Sequence, residues 1–206
     1  MKHLIENLIA EGYLRTPEII SAFYEIDRRD FVPEYLKSEA QVNAPLPIGY
    51  GQTISQPLTV AFMLELLQPK KGNKILDVGS GSGWQSSLLA YIVGEKGMVF
   101  AVERIPELSK FGRKNASKYG FKNLEFIVGD GSQGYEKKAP YDRIIVAASA
   151  ADVIPKKLKD QLKEKGRLVI PVGNSIWLVT KKGKDKYEEK EFPGFAFVPL
   201  IEDLPR

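Results

Sequence analysis

The spacing of apolar residues changes character near Lys74: helical and irregular before it, short apolar runs alternating with helical stretches after it. Over Lys2 to Ala10 the apolar positions keep helical spacing, and Gly12 offers a stop. Thr16-Pro17-Glu18 reads as a helix start, a capping hydroxyl followed by a proline whose missing N–H costs nothing in a first turn. Ile19, Ile20, Phe23 and Ile26 continue as the apolar face of that helix, and Phe31-Val32-Pro33 opens a further short segment. Ala44 to Ser55 carries Pro45, Pro47, Gly49 and Gly51 and reads as loop. Ser55-Gln56-Pro57 starts the next helix, which runs to about Leu67 with Val60, Met63, Leu64 and Leu67 facing a core.

Beyond Lys74 the strand candidates are Lys74–Val78, Met98–Val102, Leu124–Val128, Arg143–Ala147 and Arg167–Pro171. The helices between them are Trp84–Val93, Pro106–Tyr119 and Pro155–Lys163, with Gly120 and Gly166 just past two of the ends. That order predicts an α/β fold, a doubly wound, mostly parallel sheet with helices on both faces and an N-terminal helical extension. Ser175–Thr180 and Tyr187–Glu191 flank a lysine-rich turn and predict an antiparallel C-terminal hairpin. One domain over 1–206 is expected, with 1–68 as an acceptor-side segment and 69–206 as the donor-binding sheet and hairpin.

Composition narrows the chemistry. The chain of 206 residues has no cysteine, which removes disulfides, thiol nucleophiles and cysteine-ligated metals. Its one histidine, His3, reads as a surface residue of the first helix, so neither histidine acid–base catalysis nor a multi-histidine metal site is expected, and no metal is assigned. No apolar run approaches a membrane span and the N-terminus lacks a signal-peptide pattern, so a cytoplasmic protein without membrane partners is expected. Net charge is +4, yet the lysines alternate with glutamates, and the densest cluster, Lys181 to Lys186, reads as a solvated hairpin tip rather than a nucleic-acid patch.

The candidate site is Asp77-Val78-Gly79-Ser80-Gly81-Ser82-Gly83, which follows a strand and leads into a helix. Glycines there let the backbone pass close to a ligand. Glu103 ends the next strand, where a carboxylate can accept both hydroxyls of a ribose. The glycines are spaced G-x-G-x-G, one position short of the dinucleotide fingerprint. Asp77 would repel a pyrophosphate at this turn but favour the cationic amino and sulfonium groups of S-adenosyl-L-methionine. Gly129-Asp130-Gly131 follows the third strand, where Asp130 could accept from the adenine amino group with the Gly131 backbone close by. The expected donor set is Thr53, Ile54, Asp77, Gly79, Ser80, Gly81, Ser82, Gly83, Glu103, Arg104, Asp130 and Gly131, with S-adenosyl-L-homocysteine as product.

The acceptor is narrowed by what is missing. Without cysteine there is no cytosine-C5 chemistry, and Ala147-Ala148-Ser149-Ala150 stands where amino-group methylation of nucleic acid uses Asn/Asp-Pro-Pro-aromatic. A phenol-type acceptor needs a base or a metal that the sequence does not offer. A carboxylate is nucleophilic at neutral pH without help.

Pro47 to Pro57, with Gly51-Gln52-Thr53-Ile54-Ser55 as its specific part, closely resembles the signature of protein-L-isoaspartate (D-aspartate) O-methyltransferases. The resemblance continues through Leu76 to Gly83, Val128 to Gly131, Ala139 to Asp142 and Gly166 to Gly173. It implies methyl transfer to the free carboxylate of isoaspartyl (and D-aspartyl) residues in damaged proteins and peptides, with repair proceeding through a succinimide; a monomer is expected. It also implies that Ser55 is the catalytic residue. Read from the sequence, the Ser55 hydroxyl can orient an acceptor carboxylate or cap the following helix, and the two roles can coexist. Some relatives carry a histidine five positions after that serine; here the position is Val60. Phe195, Phe197 and Val198 are expected either as a strand walling the peptide pocket or as core. Methylation of RNA or a small molecule, and donor binding without turnover, remain alternatives.

Overall fold

The computed structural model describes residues 1–201; the remainder of the expected domain, 202–206, lies outside the described residues. Helices α1 (Lys2–Ala10) and α2 (Pro17–Glu25) come first, then 3-10 turns over Arg28–Phe31 and Glu34–Glu39. Thr16 holds the N-cap position of α2, but its hydroxyl does not close the first turn. It donates instead to Glu65 Oε2 at 2.7 Å, and the N–H groups of Arg15 and Thr16 both donate to Glu65 Oε1 at 2.8 Å. A buried carboxylate from a later helix therefore satisfies this helix entry.

The stretch from Ala44 to Ser55, expected as loop, contains a hairpin of β1 (Leu46–Gly49) and β2 (Gln52–Ile54), with Leu46 opposite Ile54 and Pro47 opposite Thr53. Its turn passes through Gly49, Tyr50 and Gly51 at φ 93°, 56° and 70°. Two glycines that would break a long element here supply the positive φ that closes a short one. Helix α3 (Pro57–Leu67) follows.

The rest of the chain gives β3 (Lys74–Val78), α4 (Trp84–Val93), β4 (Met98–Glu103), α5 (Pro106–Ala116), β5 (Leu124–Val128), β6 (Tyr141–Val146), α6 (Lys156–Asp160), β7 (Leu162–Val172), β8 (Ser175–Gly183) and β9 (Lys186–Pro193). The seven-stranded sheet runs β5-β4-β3-β6-β7-β8-β9. Neighbours from β5 to β7 are parallel, and β8 and β9 add antiparallel. Strand order reverses between β3 and β6, which opens a crevice at the carboxyl ends of those strands. Alternate strand residues serve two cores. Ile75, Val99, Ile145 and Val169 pack under α1 to α5, and Leu76, Phe100, Ile144 and Leu168 pack with Tyr141 and Leu158 on the other face.

Several boundaries differ from expectation. Helix α6 stops at Asp160, and the chain is already in β7 at Leu162, so Gly166 is a strand residue and not a helix stop. Lys165 has φ 62° beside a register shift between Tyr141 and Arg143, which marks a bulge that lengthens the strand backwards. Helix α5 gives way to a 3-10 turn over Ser117–Tyr119 before Gly120 at φ 67°. Phe195 and Phe197 form no strand; Phe195 stacks on Phe62 with ring centres 5.1 Å apart. The lysine-rich turn is the exposed tip joining β8 and β9, and His3 is exposed on α1.

Candidate active site

The glycine turn leaves β3 through Gly79, Gly81 and Gly83 at φ 80°, 47° and 84°. The strand ladder and its neighbour fix it. Gly79 and Ser80 N–H donate to Val102 O at 2.8 and 3.2 Å, and Gly81 N–H donates to Glu103 Oε2 at 2.9 Å. Gly83 opens α4 where a Cβ would lie 2.8 Å from Gly112 O, so only glycine lets α4 approach α5 this closely.

A cavity opens above this turn at the switch point. Of the expected donor residues, Thr53, Ile54, Gly79, Ser80, Gly81, Ser82, Glu103, Arg104, Asp130 and Gly131 line it, and so does Ser55. Asp77 and Gly83 do not. Asp77, expected in the donor set for its charge, lies behind the wall and not in it. It is fully buried behind the turn, accepting from Gln85 Nε2 at 2.8 Å and from Ser86 Oγ. Burial pushes its pKa up to about 6, against the two hydrogen bonds, and nearby Glu103 pushes the same way. Its neighbour Gln85 lines the cavity, so Asp77 acts by holding that amide and by its charge. Gly83 serves helix packing.

Glu103 spends one oxygen on the Gly81 N–H and the other on the Ile105 N–H at 3.0 Å, which fixes the carboxylate and leaves it further lone pairs. Asp130 is fixed by its own turn, accepting from Ser132 N–H at 2.8 Å and Ser132 Oγ at 2.9 Å. At Gly131 a Cβ would meet Val78 Cγ1 at 2.5 Å, so the wall there is bare backbone. Ser80 Oγ is buried in the cavity wall with no partner among the described residues. An orphaned hydroxyl, a bare backbone edge and two oriented carboxylates suit a polar, cationic nucleoside better than a pyrophosphate.

On the opposite wall stands Ser55. The N-cap of α3 is Gln56, and the cap bond comes from afar: Leu58 N–H donates to Asn43 Oδ1 at 3.0 Å. Asn43 O also accepts from Gln56 Nε2 at 3.1 Å. Asn43 thus takes over the capping role considered for Ser55, and the Ser55 hydroxyl makes no hydrogen bond among the described residues. Ile48 and Tyr50 of the hairpin join this wall; a Cβ on Gly81 would sit 3.2 Å from Ile48 Cδ1. Val198 to Ile201 close one side, held by Ser149 N–H donating to Val198 O at 2.8 Å and Leu200 N–H donating to Ser149 O at 2.7 Å. Val198 is therefore a wall residue while Phe195 is core packing. Trp84, Gln85 and the residues after Val198 were not singled out from the sequence; only their place beside the glycine turn or within the last apolar segment could have marked them.

A doubly wound sheet ending in an antiparallel hairpin, with an acid-flanked glycine turn at its switch point, is the fold of S-adenosyl-L-methionine-dependent methyltransferases. The family model described as protein-L-isoaspartate(D-aspartate) O-methyltransferase matches residues 1–204, and the chain belongs to that family. A protein-L-isoaspartate O-methyltransferase of Methanopyrus kandleri is 47% identical over 205 residues, covering 97% of this chain and 90% of the relative. Protein-L-isoaspartate O-methyltransferase 2 of Archaeoglobus fulgidus is 50% identical over 186 residues, covering 89% and 84%. Among solved structures, a Plasmodium falciparum protein described under the same activity, in complex with S-adenosyl-L-homocysteine, has a TM-score of 0.85 at 27% identity and 97% coverage of both chains.

Proposed function

We propose that this protein transfers the methyl group of S-adenosyl-L-methionine to the free carboxylate of L-isoaspartyl and D-aspartyl residues in damaged proteins and peptides. The carrying observation is that one cavity is lined both by the glycine turn and by Ser55, whose hydroxyl makes no hydrogen bond among the described residues. S-adenosyl-L-methionine supplies an electrophilic methyl carbon on a sulfonium. The residues that would hold it are the Gly79–Ser82 backbone, the Ser80 hydroxyl, Glu103 for the ribose, and Asp130 with the Gly131 edge for the adenine; Thr53, Ile54 and Arg104 complete its surroundings. Asp77 supports the turn through Gln85.

On the acceptor side the task is orientation rather than proton removal. An isoaspartyl carboxylate is ionised at neutral pH, so no general base is needed. Ser55 donates a hydrogen bond to one carboxylate oxygen and leaves the other free to attack. Ile48, Tyr50 and the Val198–Ile201 strap exclude water around it. Once esterified, the side chain carries a methoxide leaving group in place of an oxide. The neighbouring backbone amide nitrogen displaces it, releasing methanol and giving a succinimide that partly reopens to aspartate.

This reading has one methyltransferase domain over 1–206, with 1–68 as acceptor side and 69–206 as donor side. It acts as a cytoplasmic monomer on damaged proteins and peptides, with no nucleic-acid or membrane partner. The pairing of Lys156, Lys159, Lys163 and Lys182 with acidic neighbours supports a solvated surface rather than a phosphate-binding one. Among the described residues no helix is long and apolar enough to cross a membrane. The test is incubation with methyl-labelled donor and a matched pair of isoaspartyl and aspartyl peptides. Base-labile label confined to the isoaspartyl peptide is expected; label appearing only in added RNA would overturn the assignment.

A further inference from the structure

Arg28 sits in the 3-10 turn Arg28–Phe31 and is completely buried. Among the described residues every side-chain hydrogen bond it makes goes to a backbone carbonyl. Its NH1 donates to Ala40 O at 3.1 Å and Val42 O at 3.2 Å, and its NH2 donates to Ala44 O at 2.8 Å and Ser55 O at 3.1 Å. Among the described residues its buried Nε has no partner and no carboxylate forms an ion pair with it. The guanidinium carbon lies 5.5 Å from the ring centre of Trp84. Burial pushes its pKa down to about 10, which leaves it charged at neutral pH.

A buried cation with no counter-charge is among the least favourable arrangements a protein interior can hold. Carbonyl dipoles and an aromatic face replace its hydration only in part. Two of its contacts, Ser55 and Trp84, are themselves cavity wall. The guanidinium therefore stands one residue behind the surface that an acceptor meets. The opposite side of that cavity is acidic, with Glu103 and Asp130 lining it and Asp77 behind. An anionic acceptor entering it is repelled from the donor side and needs positive potential on its own side.

We propose that Arg28 is the positioning residue of the acceptor wall: it gathers the 40–44 carbonyls and that of Ser55 into one fixed arrangement, and its uncompensated charge, felt through Ser55 and Trp84, favours a carboxylate acceptor over a neutral one. The inference rests on the carboxyl-transfer reading above. It assigns acceptor-charge selectivity to a residue that never touches the acceptor.

The experiment compares wild type, Arg28→Lys and Arg28→Met, using an isoaspartyl peptide as substrate and its neutral isoasparaginyl analogue as competitor. If wild type fails to methylate the isoaspartyl peptide, the carboxyl-transfer reading falls, whatever Arg28 does. Arg28→Lys keeps the charge but cannot span the four carbonyls. Its kcat is expected to drop about tenfold while its preference for acid over amide stays within about threefold of wild type. Arg28→Met loses both, and the preference itself is expected to fall about tenfold or more. Affinity for S-adenosyl-L-homocysteine, read by calorimetry, is expected to stay within about threefold in both variants. A wild-type kcat in Arg28→Lys overturns the positioning role. An unchanged preference in a folded Arg28→Met overturns the charge role. Should circular dichroism find Arg28→Met unfolded, Arg28→Lys decides alone: loss of acid preference as complete as its loss of turnover overturns the charge role.

Discussion

The two walls of the cavity are built in different ways. The donor wall grows out of the sheet: its glycine turn continues β3, is bonded to β4 through Val102 O and Glu103, and is anchored behind by buried Asp77. The acceptor wall hangs from a two-stranded hairpin outside the main sheet and is held by isolated contacts from distant parts of the chain, through side chains at Arg28 and Asn43 and through backbone groups at Ser149. Arg28 holds the Ser55 carbonyl, Asn43 caps α3, and Ser149 ties down the Val198–Ile201 strap. Backbone ladders fix the first wall, so damage there shows mainly as lost stability. The second depends on individual contacts, so damage there shows mainly as lost turnover with the fold retained.

That contrast can be broken in four places. The largest effect is expected at Gly83, where a substitution meets both positive φ and the Gly112 backbone. Gly83→Ala is expected to lose about 4 kcal/mol of stability, from left-handed strain plus overpacking. A denaturant midpoint equal to wild type would show that the donor wall is softer than its ladder implies.

Asp77 comes next. Its pKa is raised from 3.8 to about 6 in the folded chain, so the folded state holds this proton more tightly than the unfolded one. Its contribution to stability therefore falls as pH rises from the ordinary value through the folded one, by about 3 kcal/mol in all. Asp77→Asn removes that fall. Relative to wild type the variant is expected to gain stability between about pH 4 and pH 7 in urea melts, with the other carboxylates cancelling in the difference. A flat difference across that range would place the charge in a better-solvated setting than its burial implies.

On the acceptor wall, Ser55→Ala is expected to lower kcat about thirtyfold, equivalent to about 2 kcal/mol, while the donor dissociation constant moves less than about threefold. An equal loss of donor binding would make Ser55 a binding or folding residue. The smallest effect is expected at Asn43. Asn43→Ala removes the α3 cap and is expected to cost about 1 kcal/mol of stability with turnover falling several-fold. If stability falls and turnover does not, the acceptor wall is stiffer than its side-chain ties suggest.

Much of the donor wall was legible in the chain because its signals are local. A buried parallel strand writes itself as an apolar run, and a turn that needs positive φ writes itself as glycine. Thus Gly79 to Ser82, Glu103, Asp130 and Gly131 were found by position, and all of them line the cavity. The place of Asp77 beside the turn is equally legible, but its direction is not: the side chain at the end of β3 turns inward to Gln85 and Ser86. Arg28 left no trace at all, because Asp27-Arg28-Arg29-Asp30 reads as a solvated charge run. Only one of those four charged residues turns fully into the core. The hairpin over Leu46–Ile54 is hidden in the sequence because its prolines and glycines break long elements, and short-element pairing is set by the partner strand.

What the sequence determined by itself is the order and type of the main elements, the glycine turn with its acidic neighbours, and the family signature around Ser55. These depend on interactions between residues a few positions apart, whose physics is periodicity, φ preference and charge. What only the tertiary structure decided is which groups complete one another across the chain: Glu65 with the entry of α2, Asn43 with α3, Arg28 with Ser55, and the last described residues with Ser149. Those pairings arise because burial leaves polar groups without water, and the partner that satisfies each one is whichever group the packed fold brings within reach.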